Sequence, residues 1–139
     1  MADLTITAAE VTYTVGAITK YTGVAGATIT AGQACYIDTA SSNVVKLAQS
    51  DGVALEATIK GLALHGASAT QPITLAIAGN MDPGGTCVVG ETYVLSRVAG
   101  AIAPIGDLAT GDFVSHVGIG TTASNLKLSI VNSGVEVPA

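Results

Sequence analysis

The sequence predicts an all-β domain, either a β-sandwich or jelly roll or a β-barrel, and three observations favour this class. Short segments in which apolar and polar side chains alternate recur along the chain, as in strands with one buried face. Turn signals separate these segments at intervals of roughly eight to twelve residues, and the 139 residues include 17 Gly. One segment pattern also occurs twice. Regular helix is expected nowhere beyond a single turn near residues 54–58 or 107–109.

The repeated pattern is a unit of four predicted strands, present at residues 29–80 and again at 87–133. In both units a Gly turn leads into a strand, a corner and a second short strand. The aligned segments are 31–48 (AGQACYIDTASSNVVKLA) with 89–106 (VGETYVLSRVAGAIAPIG), 59–62 (IKGL) with 116–119 (HVGI), and 73–77 (ITLAI) with 126–130 (LKLSI). Each unit by itself has too little core to be stable. We therefore predict a single domain over residues 1–139.

Residues 1–28 precede the two units and contain a predicted N-terminal strand or arm. Residues 4–15 alternate between apolar and polar side chains, with a break between two strands near residues 8–9, and residues 18–21 extend the pattern. The Gly-rich residues 23–26 end it. This segment is either a strand that caps the domain or an arm that reaches a neighbouring subunit.

The first unit contains four predicted strands, at residues 34–38, 44–47, 61–64 and 71–78. Residues 53–60 (VALEATIK) are ambiguous, because the apolar residues alternate as in a strand whereas Ala, Leu and Glu favour helix. Residues 80–85 (NMDPGG) predict a compact turn between the units, since Pro fixes φ at one turn position and Gly permits positive φ at the next. The second unit ends with a strand at 127–131. The tail, residues 134–139, is consistent with a short edge strand that Pro138 terminates.

The composition favours a protein that works through contacts with other proteins. Hydrophobic residues make up 49% of the chain but aromatic residues only 4%, so the core must be built from small and β-branched side chains. Charged residues make up 11%, less than half the share in ordinary soluble domains. A monomer of this composition would expose a large apolar surface, which favours burial against copies of the same chain.

The patterns of charge and hydropathy argue against nucleic-acid and membrane partners. The net charge is −5, and the five cationic side chains stand singly rather than in the clusters that replace phosphate counterions. No apolar run approaches the ~18 residues of a membrane span. The N-terminus has neither the basic nor the apolar region of a secretory signal. We expect a soluble protein made in a cytoplasm.

Cys35 and Cys87 are the only cysteines, and the sequence does not show whether they are bonded to each other. We interpret them as two free core thiols, because disulfide-stabilised domains usually have more cysteines and an export signal. Neither a Cys-x-x-Cys redox motif nor a set of zinc ligands is present.

The other polar residues form no catalytic or metal-binding pattern. His65 and His116, the only imidazoles, do not align between the units. His116 has Asp112 nearby in sequence, but a nucleophile–base pair needs a third orienting group, and a metal needs three or four ligands. Asp107 and Asp112 are better explained as turn residues than as a paired-carboxylate site, because the chain has no Trp to stack a sugar. We therefore predict no enzyme activity, no metal and no cofactor.

One part of the chain resembles a known protein family. Residues 90–120 (GETYVLSRVAGAIAPIGDLATGDFVSHVGIG), with the downstream strand LKLSIV, resemble the small Ala-, Gly- and Thr-rich β proteins encoded beside the major capsid protein of tailed bacteriophages. Those proteins act as capsid cement, or decoration, proteins, and the similarity is greatest to the cement proteins of short-tailed phages. It rests on the strand Gly-Glu-x-Tyr-Val-Leu-Ser and the turn Gly-Asp-x-Val, and it covers residues 30–133.

The resemblance implies a structural virion protein without catalytic residues. A protomer of sandwich or jelly-roll type would bind as a homotrimer to the outer capsid surface, where it would bridge neighbouring copies of the major capsid protein and stabilise the expanded head. The expected location is the exterior of the virion, after synthesis in the cytoplasm of the bacterial host. The N-terminal arm is then expected to contact other subunits at an open sheet edge. The candidate contact residues are Leu4, Ile6, Val11, Tyr13, Val15 and Tyr21.

Two other function classes remain open on the sequence. One is a trimeric fibre or receptor-binding module of a phage tail or bacterial surface, which fibre repeats or an exposed aromatic patch would support. The other is an enzyme or a lipocalin-like barrel, which requires a roomy interior pocket with convergent polar groups.

Overall fold

A computed structural model of the chain describes residues 3–51 and 53–138, except for the side chains of residues 14–17. Within these residues the regular structure consists of nine β-strands and two short 3₁₀ turns, so the predicted all-β class is confirmed. The strands are β1 (Val11–Val24), β2 (Ala34–Asp38), β3 (Val44–Leu47), β4 (Gly61–Ala63), β5 (Pro72–Pro83), β6 (Thr92–Leu95), β7 (Ile102–Pro104), β8 (Phe113–Thr122) and β9 (Asn125–Glu136). The 3₁₀ turns are Ala8–Glu10 and Ile105–Asp107.

All named strand pairs are antiparallel, and the sheet curls into a half-barrel that branches at β5. Ala76 pairs with Lys20 of β1 and also with Leu62 of β4, so β1 and β4 lie on opposite edges of β5. Farther along, Met81 pairs with both β1 and Leu126 of β9. The strand β5 therefore has β1 along one edge, and β4 followed by β9 along the other.

The two units predicted from the sequence have the same pairing pattern. The strand β2 pairs with β3 and β4, and β4 pairs with β5; in the second unit β6 pairs with β7 and β8, and β8 pairs with β9. Individual hydrogen bonds recur as well. The N–H of Gly32 donates to the Ala63 carbonyl at 2.8 Å, and the N–H of Gly90 donates to the Gly120 carbonyl at 2.7 Å.

A glycine allows close approach of neighbouring strands at the same place in each unit. Gly61 of β4 pairs with β2, and Gly118 of β8 pairs with β6. A Cβ on Gly61 would lie less than 3.0 Å from the carbonyl oxygen of Ala76, and a Cβ on Gly118 less than 3.0 Å from that of Lys127. The alignment IKGL with HVGI in the sequence places these two glycines opposite each other.

The main hydrophobic cluster lies inside the curled sheet and takes side chains from both units. Its buried members are Ala34, Tyr36, Ala48, Ala57, Ile59, Leu62, Ala76, Met81, Cys87, Tyr93, Leu95, Ile102, Val117, Leu126 and Leu128. A smaller cluster in the first unit contains Ala25, Ile29, Cys35, Val45, Ala63, Ala67, Ile73 and Leu75. As expected from the composition, small and branched aliphatic side chains supply most of both clusters.

The strands β5 and β9 are longer than the sequence predicts. The predicted turn over 80–85 is wrong as far as Pro83, because β1 pairs with β5 up to that residue. Pro is tolerated there as the last residue of the strand, and Asp82 Oδ1 accepts the N–H of Gly84 at 2.9 Å to form the bend that follows. The predicted end of the last strand at Val131 is also wrong, since β8 continues to pair with β9 as far as Glu136.

The ambiguous residues 53–60 form a single turn rather than a strand. The N–H of Ala57 contacts the carbonyl oxygens of both Val53 and Ala54 at 3.2 Å, and the N–H of Thr58 donates to Leu55. The expected single turn near residues 54–58 is therefore confirmed.

Candidate binding cleft and exposed surfaces

The N-terminal residues 3–10 lie against their own chain. The N–H of Leu4 donates to the Ile102 carbonyl at 2.8 Å, and the N–H of Thr7 donates to the Gly84 carbonyl at 2.7 Å. Leu4 and Ile6 are partly buried against the main cluster. The segment therefore contributes to the core of its own chain.

The other candidate contact residues differ in exposure. Val11 is partly buried against the main cluster and Tyr21 against the smaller one. Tyr13 is 36% exposed, and its hydroxyl accepts a hydrogen bond from Lys20 Nζ at 3.3 Å. Val15 belongs to β1, but its side chain lies outside the described part of the structure. Of the described candidates, Tyr13 has the most accessible aromatic side chain.

A surface cleft of about 370 Å³ lies beside β6, with an aliphatic wall and a group of polar side chains. Val94, Leu95, Ala103 and Leu108 contribute to the wall. The polar residues come from the N-terminal segment, the loop after β3, the end of β6 and the turns before β8. They are Asp3, Ser50, Ser96, Arg97, Asp107 and Asp112.

Two carboxylates of the cleft are held by hydrogen bonds. Asp112 Oδ1 accepts from Arg97 Nε at 2.6 Å, and Asp112 Oδ2 accepts the N–H of Ala109 at 2.8 Å. The Asp112 side chain is 1% exposed whereas that of Arg97 is 51% exposed, so the guanidinium covers a buried carboxylate. Asp3 Oδ1 accepts from the Ser96 hydroxyl at 2.6 Å.

Ser50 is fully buried at the cleft, with its backbone bonded on both sides. Its N–H donates to the Ser96 carbonyl at 3.0 Å, and its carbonyl accepts from the N–H of Phe113 at 2.9 Å. The hydroxyl oxygen, in contrast, has no hydrogen-bond partner among the described residues. Buried polar atoms usually have one, so this hydroxyl is an exception that calls for a physical explanation.

The sequence pointed to two members of the cleft and missed the others. Asp107 and Asp112 were singled out as a carboxylate pair, and Asp112 does stabilise a turn, as its bond to Ala109 shows. Asp3, Ser50 and Arg97 had no such signal, because they are brought together only by the fold.

The two histidines lie apart from the cleft-lining residues. The Nε2 of His65 accepts the N–H of Thr74 at 3.1 Å, and its Nδ1 lies 2.9 Å from the Gly66 carbonyl, so the neutral ring carries its proton on Nδ1. His116 Nδ1 lies 2.6 Å from the Ser129 carbonyl. The Asp112 carboxylate is bonded to Arg97, and the His116 ring contacts the backbone of β9.

Both cysteines are free and buried, as predicted from the sequence. Cys35 belongs to the smaller cluster and Cys87 to the main one. Burial raises the pKa of the Cys35 thiol to about 12. Burial, and secondarily the charge of Asp82, raises the pKa of the Cys87 thiol. Both thiols are therefore protonated and unreactive at neutral pH.

Large apolar side chains are exposed at several places on the surface. They are Tyr13, Val24, Val53, Leu55, Val88, Val89, Val98, Ile105, Ile119, Val131 and Val135. Three of them form what we call the aliphatic patch: Val88, Val89 and Ile119. The turn at 88–90 lies beside β8, because the N–H of Gly90 donates to the carbonyl of Gly120, the residue after Ile119.

The strand β1 has an open edge. Within the described chain it pairs only through its edge toward β5, which leaves a long sheet edge open on the other side.

Comparisons with known proteins add no identification. No protein-family model matches the chain, and no curated protein matches it. The described residues include no helix with the length and hydropathy to cross a bilayer. They also include no group of three or more His, Cys, Asp or Glu side chains that could hold a metal ion.

Proposed function

We propose that this chain is a structural virion protein, a capsid decoration protein that binds the outer capsid surface as a homotrimer and stabilises the expanded head. The observation that carries the proposal is the exposure of branched aliphatic side chains on a domain with few charges. Val88 and Val89 are 60% and 68% exposed, in a chain with 11% charged residues. Apolar surface of this kind favours burial against another protein. The resemblance of residues 90–120 to cement proteins supports the major capsid protein as that partner.

In such a role the interface free energies of many bound copies add up. Each bound copy contributes a modest interface free energy, and many copies together would hold the shell against the pressure of packaged DNA. The aliphatic patch would supply desolvation energy at about 25 cal/mol per Å² of apolar surface removed from water. The open edge of β1 would supply backbone hydrogen bonds to a neighbouring subunit.

Binding to capsids tests the proposal directly. Purified protein is mixed with expanded heads that lack it, the heads are sedimented, and the bound protein is measured against the major capsid protein; heads that have not expanded are the control. We expect saturable, stoichiometric binding to expanded heads. Absence of saturable binding would contradict the proposal.

A pair of variants tests whether the aliphatic patch meets the shell. Val89→Lys places a charge in the patch, whereas Val135→Lys makes the same change on β9 at a residue that is 62% exposed. We expect Val89→Lys to abolish binding and Val135→Lys to leave it unchanged. The opposite result would assign the shell contact to the β9 surface instead.

The oligomeric state is tested by native mass spectrometry. We expect a species with three times the 13.6 kDa chain mass. Because residues 3–10 also support their own core, a point change is a better probe of the arm than a deletion. We expect Tyr13→Ala to lower the trimer fraction without changing the circular dichroism spectrum, and an unchanged trimer fraction would remove Tyr13 from the interface.

A further inference from the structure

The N-terminal residues 3–7, which we call the donor segment, occupy a slot at the outer edge of β7. The N–H of Leu4 donates to the Ile102 carbonyl of β7 at 2.8 Å. Farther along the segment, the N–H of Thr7 donates to the Gly84 carbonyl at 2.7 Å, in the bend that follows β5. The donor segment therefore joins two parts of the fold that are remote from it in the sequence.

Three glycines shape this slot around the backbone of the donor segment. A Cβ on Gly85 would lie less than 3.0 Å from the Thr5 carbonyl oxygen, and a Cβ on Gly84 would lie as close to that of Thr7. A Cβ on Gly32 would lie less than 3.0 Å from a methyl group of Ile6. We call Gly32, Gly84, Gly85 and Ile102 the acceptor slot. Because these glycines have no side chain, the slot admits a closely approaching strand.

The two units differ in how this edge is covered. In the first unit, the residues just before the unit cover β3: the N–H of Gly26 donates to the Val45 carbonyl at 2.8 Å, and Ala25 forms a bridge with Val45. The strand β7 corresponds to β3, since Val44 aligns with Ile102. The residues before the second unit pair with β1 instead. The second unit is therefore completed by a segment from outside the unit.

The connector between the donor segment and β1 is one exposed 3₁₀ turn, Ala8–Glu10, with no buried residue. Two backbone bonds hold the turn: the N–H of Glu10 donates to the Thr7 carbonyl, and the N–H of Val11 donates to the Ala8 carbonyl. Water can replace these bonds when the turn opens. The extended connector then spans about 10 Å, which lets the donor segment leave its own slot.

We propose that, in the assembled protein, the acceptor slot of each copy holds the donor segment of a second copy of this chain. The contacts in the slot are the same whichever copy supplies the segment, so exchange is a low-cost route to an oligomer. Each copy has one donor segment and one slot, and exchange around a closed ring fills every slot. The inference rests on the proposed homotrimer and deepens it, because it names the segment that passes between subunits.

A mixed disulfide tests the exchange. Asp3 Oδ1 and Ser96 Oγ lie 2.6 Å apart, so thiols at these two positions come within reach of each other. Unlabelled Asp3→Cys protein and ¹⁵N-labelled Ser96→Cys protein are unfolded with reductant, mixed, refolded and oxidised. We expect a covalent pair with one chain of each kind, about twice the 13.6 kDa chain mass. Without exchange, the two thiols lie in different molecules and do not meet.

A second mixture controls for random oxidation. Ser68→Cys makes the same change at an exposed residue of the first unit, whereas Ser96 is only 7% exposed. Chance collisions would therefore favour Ser68→Cys as the partner of Asp3→Cys. We expect the mixed pair with Ser96→Cys and not with Ser68→Cys. Equal yields of the two mixed pairs would overturn the inference.

A measurement on the unmodified protein decides the question if a cysteine variant fails to fold. Protein labelled with ¹³C is refolded together with unlabelled protein, and isotope-filtered nuclear Overhauser spectra record contacts between chains. We expect such a contact between an Ile6 methyl group and the Hα of Gly32, which adjoin in the slot. Its absence from assemblies that contain both kinds of chain would overturn the inference.

Native mass spectrometry of the same samples separates this inference from the proposed function. Trimers without the mixed disulfide and without the contact between chains would overturn the exchange and leave the proposed homotrimer standing. Monomers alone would overturn both. Trimers that show the exchange but do not bind expanded heads would support the exchange and contradict only the capsid role.

Discussion

The glycines that bring neighbouring strands together provide the sharpest test of the folded architecture. In Gly61→Ala the new Cβ would lie less than 3.0 Å from the Ala76 carbonyl oxygen, and in Gly118→Ala less than 3.0 Å from that of Lys127. Ordinary contacts of this kind are 3.4 Å or longer. The obstructing atoms belong to the backbone, so β4 and β5, or β8 and β9, must move apart to accept the new methyl group.

The size of the effect follows from two opposing contributions. Overpacking of this severity typically costs about 1–3 kcal/mol. Replacing Gly by Ala restricts the unfolded chain and returns roughly 0.4–1 kcal/mol. We therefore expect each variant to be less stable by about 1–2 kcal/mol, which corresponds to a fall in melting temperature of roughly 4–8 °C for a domain of this size.

The assay is urea and thermal denaturation followed by circular dichroism, with Gly66→Ala as the matched control. A Cβ on Gly66 would have its nearest neighbour at 3.5 Å, so that variant is expected to be as stable as the unchanged protein or slightly more so. Because Gly61 and Gly118 occupy equivalent positions, their effects should be similar. If either variant were as stable as Gly66→Ala, the reasoning about strand approach in that unit would be refuted.

Three further predictions concern charges and thiols. Burial raises the pKa of Cys35 from 9.0 to about 12, so the thiol ionises at lower pH in the unfolded chain than in the folded one. The free energy of unfolding should therefore fall as the pH rises from 9 towards 12. Urea titrations across this range measure the effect, and Cys35→Ala should make the free energy of unfolding depend less on pH. Arg97→Met leaves the buried Asp112 carboxylate without its cation and should cost about 1–3 kcal/mol at neutral pH; a loss below 0.5 kcal/mol would show that the ion pair is dispensable. The hydrogen bond from Lys46 lowers the pKa of the Asp38 carboxyl from 3.8. The stability that this pair provides is therefore present above pH 3.8 and is lost as the pH falls through the lowered pKa. The free energy of unfolding of Lys46→Met should be lower than that of the unchanged protein at pH 7, and the two values should converge in acid.

Apolar–polar alternation and turn signals predicted the presence of strands well but the ends of strands poorly. Alternation predicted β2 at residues 34–38 and β3 at residues 44–47, and the structure has the same bounds. The Pro-Gly-Gly segment suggested a turn from residue 80, whereas tertiary pairing with β1 extends β5 to Pro83. Turn propensity describes isolated peptides, and an available partner strand overrides it.

Neither the branching of the sheet nor the cleft could be predicted from the sequence, because both depend on contacts between distant segments. Which edges of β5 meet β1, β4 and β9 depends on contacts between segments far apart in the chain. The cleft likewise joins Asp3 to Ser96, which are 93 residues apart, and it adds Ser50 from a third segment. Neither relation leaves a local pattern of residues. The repeat was visible because its two copies preserve local signals, above all the paired glycines.

The rupture temperature of DNA-filled heads tests the proposed function most directly. Heads that lack this protein are heated with and without saturating purified protein, and release of DNA is followed with a fluorescent dye. We predict that bound protein raises the temperature of DNA release and that Val89→Lys does not. An unchanged release temperature on heads shown to be fully occupied would contradict the proposed stabilising role.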